Sequence, residues 1–465
     1  MSSSHLWLPS ILMLVLLALQ TPITWAMAIA ALGFFALNMS EMPLANFAQQ
    51  MAEGTESVSL LALPLFVLAG CIMNASGITR RLLNLAEVLV GHMTGALAQM
   101  CTVLATLLGG LTASANADAA MLAKTIGTQM VARGYSAPFA AVITSSAAII
   151  TALIPPSIGL IIYGFLAEAS IGRLFAAGIV PGLLLAVALM LTTHVLAIKR
   201  RYKPQRATRA NARELGQALV DGLWALSIPV VIILGTRYGI FTTTESGAVV
   251  VIYVLLVAIL GYREMTLRQL PEVLAESVRD SASVMMMICA ASAFGFYLSW
   301  EQVPQAMSGW LAGTTKDPIL LLLLINLVLI VLGTAIEGSA ALIILTPMLL
   351  PLIDGAHIDK VHFGIVLITN LTIAGITPPV GGLMYISSQT LKVRMGDYSR
   401  EVVPYLAVMM VLLVMPRPTL KLLPILSLPS STLPFITSPL YEPHKPVSQS
   451  VSPSNNPIAP NKSQN

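Results

Sequence analysis

Apolar residues in this chain come in long uninterrupted runs, not in the one-sided stripe of a soluble helix or the alternation of a strand. Residues 134–167 contain no Asp, Glu, Lys or Arg, and neither do 321–336 or 338–353. Runs of this order, about 20 residues, are what a helix needs to cross a bilayer. The pattern predicts spans at about 6–37 (broken at Thr21-Pro22), 58–75, 95–110, 138–165, 174–198, 218–236, 245–261, 281–299, 318–336 continuing to 353, and 362–388. A last candidate, 402–414, is short. Two stretches are amphipathic and read as helices lying along the membrane surface: 78–91, with Arg80, Arg81, Asn84 and Glu87 on one side, and 264–280.

Composition removes the alternatives. Hydrophobic residues make up 56% of the 465 and charged residues 10%, against roughly 25% charged in a soluble domain. Strands of a membrane barrel would alternate polar with apolar over about 10 residues, which these runs do not. Helices remain as the structure that satisfies its own backbone in lipid.

The net charge of +4 is local. Lys199, Arg200, Arg201, Lys203, Arg206, Arg209 and Arg213 share one loop, with no acid until Glu214. Such a loop marks the cytoplasmic side and is no nucleic-acid signature. Cys71, Cys101 and Cys289 lie in apolar sequence without metal spacing, so they read as small buried hydrophobes. The first apolar segment lacks a small-residue cleavage site after a basic region and reads as a retained helix. Residues 415–465 hold 11 of the 29 prolines and many serines, a composition expected to be disordered.

An internal duplication organises the rest. Gly110, Pro155-Pro156 and Gly159-Leu160 recur as Gly333, Pro378-Pro379 and Gly382-Leu383, all offset by 223 residues. Paired broken helices in two repeats are how many secondary transporters build a mid-membrane binding site. Each double proline removes N–H donors and clashes with the preceding turn. In lipid, such a break is tolerated where it lines a cavity or binds an ion.

Polar residues mark the same places. In GGLTASANADAAMLAK, Thr112, Ser114, Asn116 and Asp118 alternate with small residues. In GTAIEGSAALIILTPMLLPLI, Glu337 has at least sixteen uncharged residues on each side. An ionisable group at membrane depth is costly and points to function; a structural hydrogen bond to a nearby backbone break is the other reading of Asp118 and Glu337. Hard oxygen donors suit a hard cation such as Na⁺. No GxxxxGK[ST] phosphate loop is present, nor HExxH or GxSxG, and the six histidines do not cluster in metal spacing. No enzyme chemistry and no organic cofactor is expected.

Several long segments resemble the large membrane subunit of TRAP (tripartite ATP-independent periplasmic) transporters: LALPLFVLAGCIMNASGITRRLLNLAEVLVGH, GGLTASANADAAMLAKTI, ARGYSAPFAAVITSSAAIITALIPPSIGLIIYG, LFAAGIVPGLLL, EGSAALIILTPMLLPLI and NLTIAGITPPVGGLMYISS. They stand in the family's order across about residues 6–414. The resemblance implies an all-α polytopic bundle with inverted repeats, two re-entrant hairpins and two broken helices, working as an elevator in the bacterial inner membrane. It implies Na⁺ as coupling ion, a small organic anion such as a C4-dicarboxylate or sialic acid as substrate, a periplasmic binding protein and a small four-helix membrane subunit as partners. By motif, Ser114, Asn116 and Asp118 belong to the first hairpin, and Pro155 and Pro156 to the first break. Glu337 and Ser339 belong to the second hairpin, and Thr377, Pro378 and Pro379 to the second break. Ser114 and Thr377 are the foremost Na⁺ ligands in this scheme.

The expected organisation is then scaffold helices and an amphipathic arm (1–109), first hairpin and broken helix (110–172), and scaffold helices with the basic loop 199–213 (173–332). The second hairpin and broken helix (333–390), a last helix that reads as truncated (391–414) and the tail (415–465) follow. A stand-alone ion-coupled carboxylate or arsenite carrier of the same architecture is the alternative.

Overall fold

A computed structural model describes residues 8–19, 21–40, 42–109, 114–303, 305, 318–379 and 381–414. The tail 415–465 and the stretch Gly110–Ala113 lie outside them. The described residues are helical throughout, with no strand among them. The first half comprises α1 (Leu8–Ala18), α2 (Ile23–Leu37), α3 (Ala45–Glu53), α4 (Ala62–Ala75), α5 (Ile78–Val90), α6 (Ala96–Leu108), α7 (Ala115–Leu122), α8 (Thr128–Ala132), α9 (Ala137–Thr151), α10 (Ile158–Leu166) and α11 (Ile171–Lys199). The second comprises α12 (Ala212–Arg237), α13 (Thr243–Leu256), α14 (Leu270–Trp300), α15 (Pro318–Ala335), α16 (Gly338–Gly355), α17 (Lys360–Ala374), α18 (Gly382–Thr390) and α19 (Met395–Val414). Six helical stretches among the described residues are long and apolar enough to cross a membrane, and several shorter apolar helices accompany them. The chain is a multi-pass membrane protein.

The duplication runs through the helices themselves. Shifted by 223 residues, α9 takes on the bounds of α17, and α10 falls within one residue of α18. Packing is crosswise: α7 lies against α18, and its counterpart α16 lies against α10. Outside these hairpins, α2 packs on α14 while α13 packs on α4. Reciprocal exchange of this kind is what a two-fold relation between repeats produces.

Helix α11 shows that the repeats are inverted. At 29 residues and 1.5 Å per residue it is about 43 Å long. Near its C-terminal end, the Ser136 N–H at the start of α9 donates to the Tyr202 hydroxyl (3.2 Å), and the Tyr135 and Tyr202 rings stack at 4.1 Å. At its N-terminal end, Arg173 pairs with Asp359, the N-cap of α17, at 3.7 Å. The equivalent turns of the two repeats therefore sit at opposite ends of α11. The basic loop belongs to the first end: Arg133 donates to Gln205 (2.7 Å), and the Gln205 and Arg206 N–H groups both reach the Gly91 carbonyl at 2.9 Å.

Helices α6 and α15 precede the two hairpin tips and pack on α9 and α17 respectively; α6 packs on α5 and α11 as well. Residues 264–280 are not a separate surface helix, because from Leu270 they continue unbroken into α14, 31 residues in all. Glu276 and Asp280 on its polar face, both exposed, line part of an open cavity. Finally, the last helix is not short. It starts at Met395 and has 20 residues, its charges accommodated by the Arg200–Glu401 pair at 2.5 Å.

The two repeats pack their first hairpin arm by different chemistry. In the second, the buried Asn370 amide on α17 donates to the Asn326 carbonyl (3.0 Å) and side-chain oxygen (2.9 Å) on α15. The corresponding positions of the first repeat are Val103 and Ala147. Asn370→Ala should lower stability by about 1–2 kcal/mol by stranding Asn326. The double change Asn326→Val with Asn370→Ala, which installs the first repeat's pair, should recover much of that loss. Thermal unfolding in detergent decides it: a double variant as unstable as the sum of the singles would contradict this account.

Candidate functional site

Each half-helix of the site begins where its sequence allows. Ser114 has extended backbone angles and caps α7, its Oγ accepting from the Ala117 N–H at 3.4 Å. Glu337 does the same for α16, its Oε2 accepting from the Ala340 N–H at 3.0 Å. These are equivalent positions, 223 residues apart, one neutral and one acidic. Asn116 and Ser339 are likewise equivalent. They meet at Glu337, whose Oε1 accepts from Ser339 Oγ at 3.1 Å and from Asn116 Nδ2 at 3.4 Å. The tips of two hairpins that enter from opposite sides of the membrane therefore touch through one carboxylate.

The breaks bring the other two half-helices to the same point. α9 ends at Thr151 and α10 restarts after Ser157; α17 ends at Ala374 and α18 restarts after Gly381. The Pro155-Pro156 and Pro378-Pro379 bonds are both cis. Hairpin arms approach these breaks closely through glycine. A Cβ on Gly109 would stand 2.7 Å from the Ile154 Cβ, and one on Gly333 2.7 Å from the Ala374 Cβ. The second break is tied to its hairpin by the Gly381 N–H donating to the Thr334 carbonyl at 3.2 Å.

A cavity of ≈ 190 Å³ lies at this junction. Its wall includes the N-terminal residues of four helices: Ser114 to Asn116 of α7, Ser157 to Gly159 of α10, Glu337 to Ser339 of α16, and Gly382 and Leu383 of α18. The Thr372 hydroxyl lies there too, donating to the Ile368 carbonyl. Among the described residues, no Lys, Arg or His lines this cavity. The positive ends of four helix dipoles face it, and Glu337 is its acidic side chain.

A second cavity, ≈ 400 Å³, shares Ser114, Ile158 and Val284 with the first and extends toward α4 and α14. Asp118, only 1% exposed, lines it together with Asn74, Glu276 and Asp280. Donor atoms of Cys71, Glu276 and Asp280 there lie within 4.8 Å of one another.

Of the residues selected from sequence, Ser114, Asn116, Glu337 and Ser339 line the first cavity, and Ser114 and Asp118 the second. Pro155, Pro156, Thr377, Pro378 and Pro379 line neither; they form the breaks that end α9 and α17. The Thr377 hydroxyl donates to the Ile373 carbonyl at 2.9 Å. Thr112 lies outside the described residues. Sequence reasoning missed Ser157 and Thr372, and also Glu276 and Asp280. Ser157 follows the double proline directly and could have been found as a restart signal; the two acids were hidden in a face that looked surface-bound.

Comparison with known proteins identifies the family. Residues 10–417 match the family model described as the tripartite ATP-independent periplasmic transporter, DctM component. The large permease protein of a sialic acid TRAP transporter from Vibrio cholerae is 39% identical over 393 residues, 84% of this chain and 91% of that one. The large permease protein of the 2,3-diketo-L-gulonate TRAP transporter of Escherichia coli is 38% identical over 400 residues, 86% and 93% of the two chains. A C4-dicarboxylate TRAP large permease from Pseudomonas aeruginosa is 36% identical over 369 residues, 79% of this chain and 86% of that one. Among solved structures, the YdaH transporter of Alcanivorax borkumensis shares the fold, with a TM-score of 0.58 at 12% identity over 79% of this chain and 85% of that one. The chain belongs to the DctM family: it is a TRAP transporter large permease, a transport protein and not an enzyme.

Proposed function

We propose that this chain is the permease of a Na⁺-coupled importer in the bacterial inner membrane. It takes a small organic anion from a periplasmic binding protein and works with a small four-helix membrane subunit. The observation that carries this reading is the cavity at the hairpin tips. Four helix N-termini around ≈ 190 Å³ form an anion site made of backbone dipoles, with no basic side chain needed. The relatives' names fit, since sialic acid, diketo-L-gulonate and C4-dicarboxylates are all organic acids.

Glu337 gives the reason for a coupling cation. An anion entering this cavity meets a carboxylate already in place, and two like charges a few ångströms apart cost several kcal/mol at an effective dielectric near 20. A Na⁺ arriving with the substrate removes most of that cost. The hydroxyl and amide oxygens of Ser114 and Asn116 suit it at the first hairpin, and the Thr377 hydroxyl at the second break. Asp118, Glu276 and Asp280 around the adjoining cavity raise the local cation concentration. Transport follows an elevator scheme: the hairpins and broken helices, which pack on one another crosswise, move as one body against the remaining helices.

Proteoliposomes holding the chain, its small subunit and the binding protein should take up substrate when external Na⁺ exceeds internal Na⁺, without ATP. Uptake that continues unchanged in choline buffer would overturn Na⁺ coupling. Leaving out the binding protein should reduce uptake to near background, and robust uptake without it would point to a stand-alone carrier.

Thr377→Ala and Ser114→Gly should raise the Na⁺ concentration for half-maximal uptake by roughly 5–30-fold, the equivalent of about 1–2 kcal/mol for one oxygen donor to a charged group. Glycine is the choice at 114 because it retains most of the capping stability of serine. Sodium titrations of uptake that superimpose on the unaltered protein would remove both residues from the cation sites.

A further inference from the structure

The basic loop holds more positive charge than its fold uses. Arg200 pairs with Glu401 at 2.5 Å and lies over the Phe139 ring. Arg206 pairs with Glu214 at 2.8 Å and stands 3.8 Å from Glu87. The backbone between them is pinned to the Gly91 carbonyl, to Arg133 through Gln205, and to Tyr135 through Tyr202. Lys199, Arg201, Lys203, Arg209 and Arg213 are exposed, and among the described residues they enter no ion pair. Orientation in the membrane needs positive charge on this side, but not charge held in one place as it is here. Next to these cations, the two helices that the loop joins expose apolar side chains: Leu191, Val195 and Ile198 on α11, and Val220, Leu223 and Trp224 on α12. We infer that this surface binds an anionic phospholipid, its phosphate on the free cations and its acyl chains along α11 and α12.

Depth and charge carry the argument. The 29 residues of α11, about 43 Å, match the hydrocarbon core together with both headgroup layers, about 40–45 Å. Its two ends therefore lie in the two headgroup layers, with Arg173 and Asp359 at one and the basic loop at the other. α12 runs back alongside it: a Cβ on Gly172, near the start of α11, would stand 3.5 Å from the Thr236 Cβ near the end of α12. Lys199, Arg201 and Lys203 thus stand at the head of the exposed stripe of α11, and Arg209 and Arg213 at the head of that of α12. The other face of each helix is committed to the protein. Leu189, Thr193 and Ala197 of α11 are buried, and Ala218 of α12 packs with Leu85 and Val88 of α5. Asp221, exposed on α12, offsets one of the five free cations and leaves the surface positive. Each Lys or Arg near an anionic lipid surface strengthens binding by about fivefold. A soluble phosphate would use the cations and leave the apolar stripes bare. A zwitterionic lipid would cover the stripes but bring a cation of its own to the loop. An anionic phospholipid suits both parts of the surface.

The test uses the permease with its small subunit in detergent, so that any face this partner covers is covered in the assay too. Phosphatidylglycerol or phosphatidylcholine with the same acyl chains is titrated in, and bound lipid is counted by native mass spectrometry. Phosphatidylglycerol should bind tighter by about tenfold or more, a ratio equal to about 1.4 kcal/mol. Lys203→Gln with Arg209→Gln should bring the two lipids within about twofold, given about fivefold for each cation. Lys392→Gln with Arg394→Gln removes the same charge from exposed positions beyond α18 and should leave the preference in place. Raising ammonium acetate from about 0.1 to about 1 M shortens the screening length from about 10 to about 3 Å and should abolish the preference of the unaltered complex, which decides the matter if the loop variant does not assemble. Inorganic phosphate at millimolar concentration should not displace the lipid. Equal binding of the two lipids, a preference that survives the loop variant or the salt, equal loss in the control variant, or displacement by phosphate would each overturn the inference.

Discussion

Every feature of this site follows from a rule of the bilayer: a backbone N–H or C=O that ends a helix inside hydrocarbon must find a partner. Two re-entrant hairpins and two broken helices create several such ends at mid-membrane. The chain places all of them together, so that they satisfy one another and one shared cavity. Ser114 and Glu337 cap two N-termini with side-chain oxygens. The Gly381 N–H reaches back to Thr334, and the Met384 N–H to the Gly375 carbonyl across the second break, at 3.2 and 3.1 Å. Glycine at 109 and 333 lets the arms come close enough for this. Ser114, Asn116, Ser157 and Ser339 line the cavity that remains.

Much of this was legible because breaking a helix in lipid takes unusual residues. The two double prolines and their common offset located both broken helices, and the isolated Glu337 located a hairpin tip. The same offset, followed residue by residue, also pairs Ser114 with Glu337 and Asn116 with Ser339, which inspection of each cluster alone did not reveal. What was not legible lacked a local signal. α6 and α15 are ordinary apolar helices, and nothing in them announces that they pack against α9 and α17. The stretch 264–280 misled for the opposite reason. An amphipathic face looks the same whether its polar side meets headgroups or the mouth of a cavity, and only the fold shows that Glu276 and Asp280 line one.

Inverted repeats explain why the site can be reached from both sides in turn. The start of the first broken helix stands at the basic-loop end of α11 and that of the second at the other end. The hairpins therefore approach the cavity from opposite faces, and their tips meet at Asn116 and Glu337. In the structure the two breaks differ in exposure: Pro155 and Pro156 are buried, whereas Pro378 is half-buried and Pro379 exposed. Near-symmetric halves in unequal surroundings are what alternating access requires, since exchanging those surroundings exchanges the face from which the site is open.

Duplication supplies symmetry cheaply, and function then depends on where it is broken. The first repeat packs its arm with Val103 and Ala147 where the second uses an asparagine pair. At the tips, serine faces glutamate. A strictly symmetric site with two serines would present four equal positive helix ends and no resident charge. Two glutamates would oppose anions at both ends. One carboxylate lies between these limits, and it comes from a single departure from the symmetry that the backbone keeps.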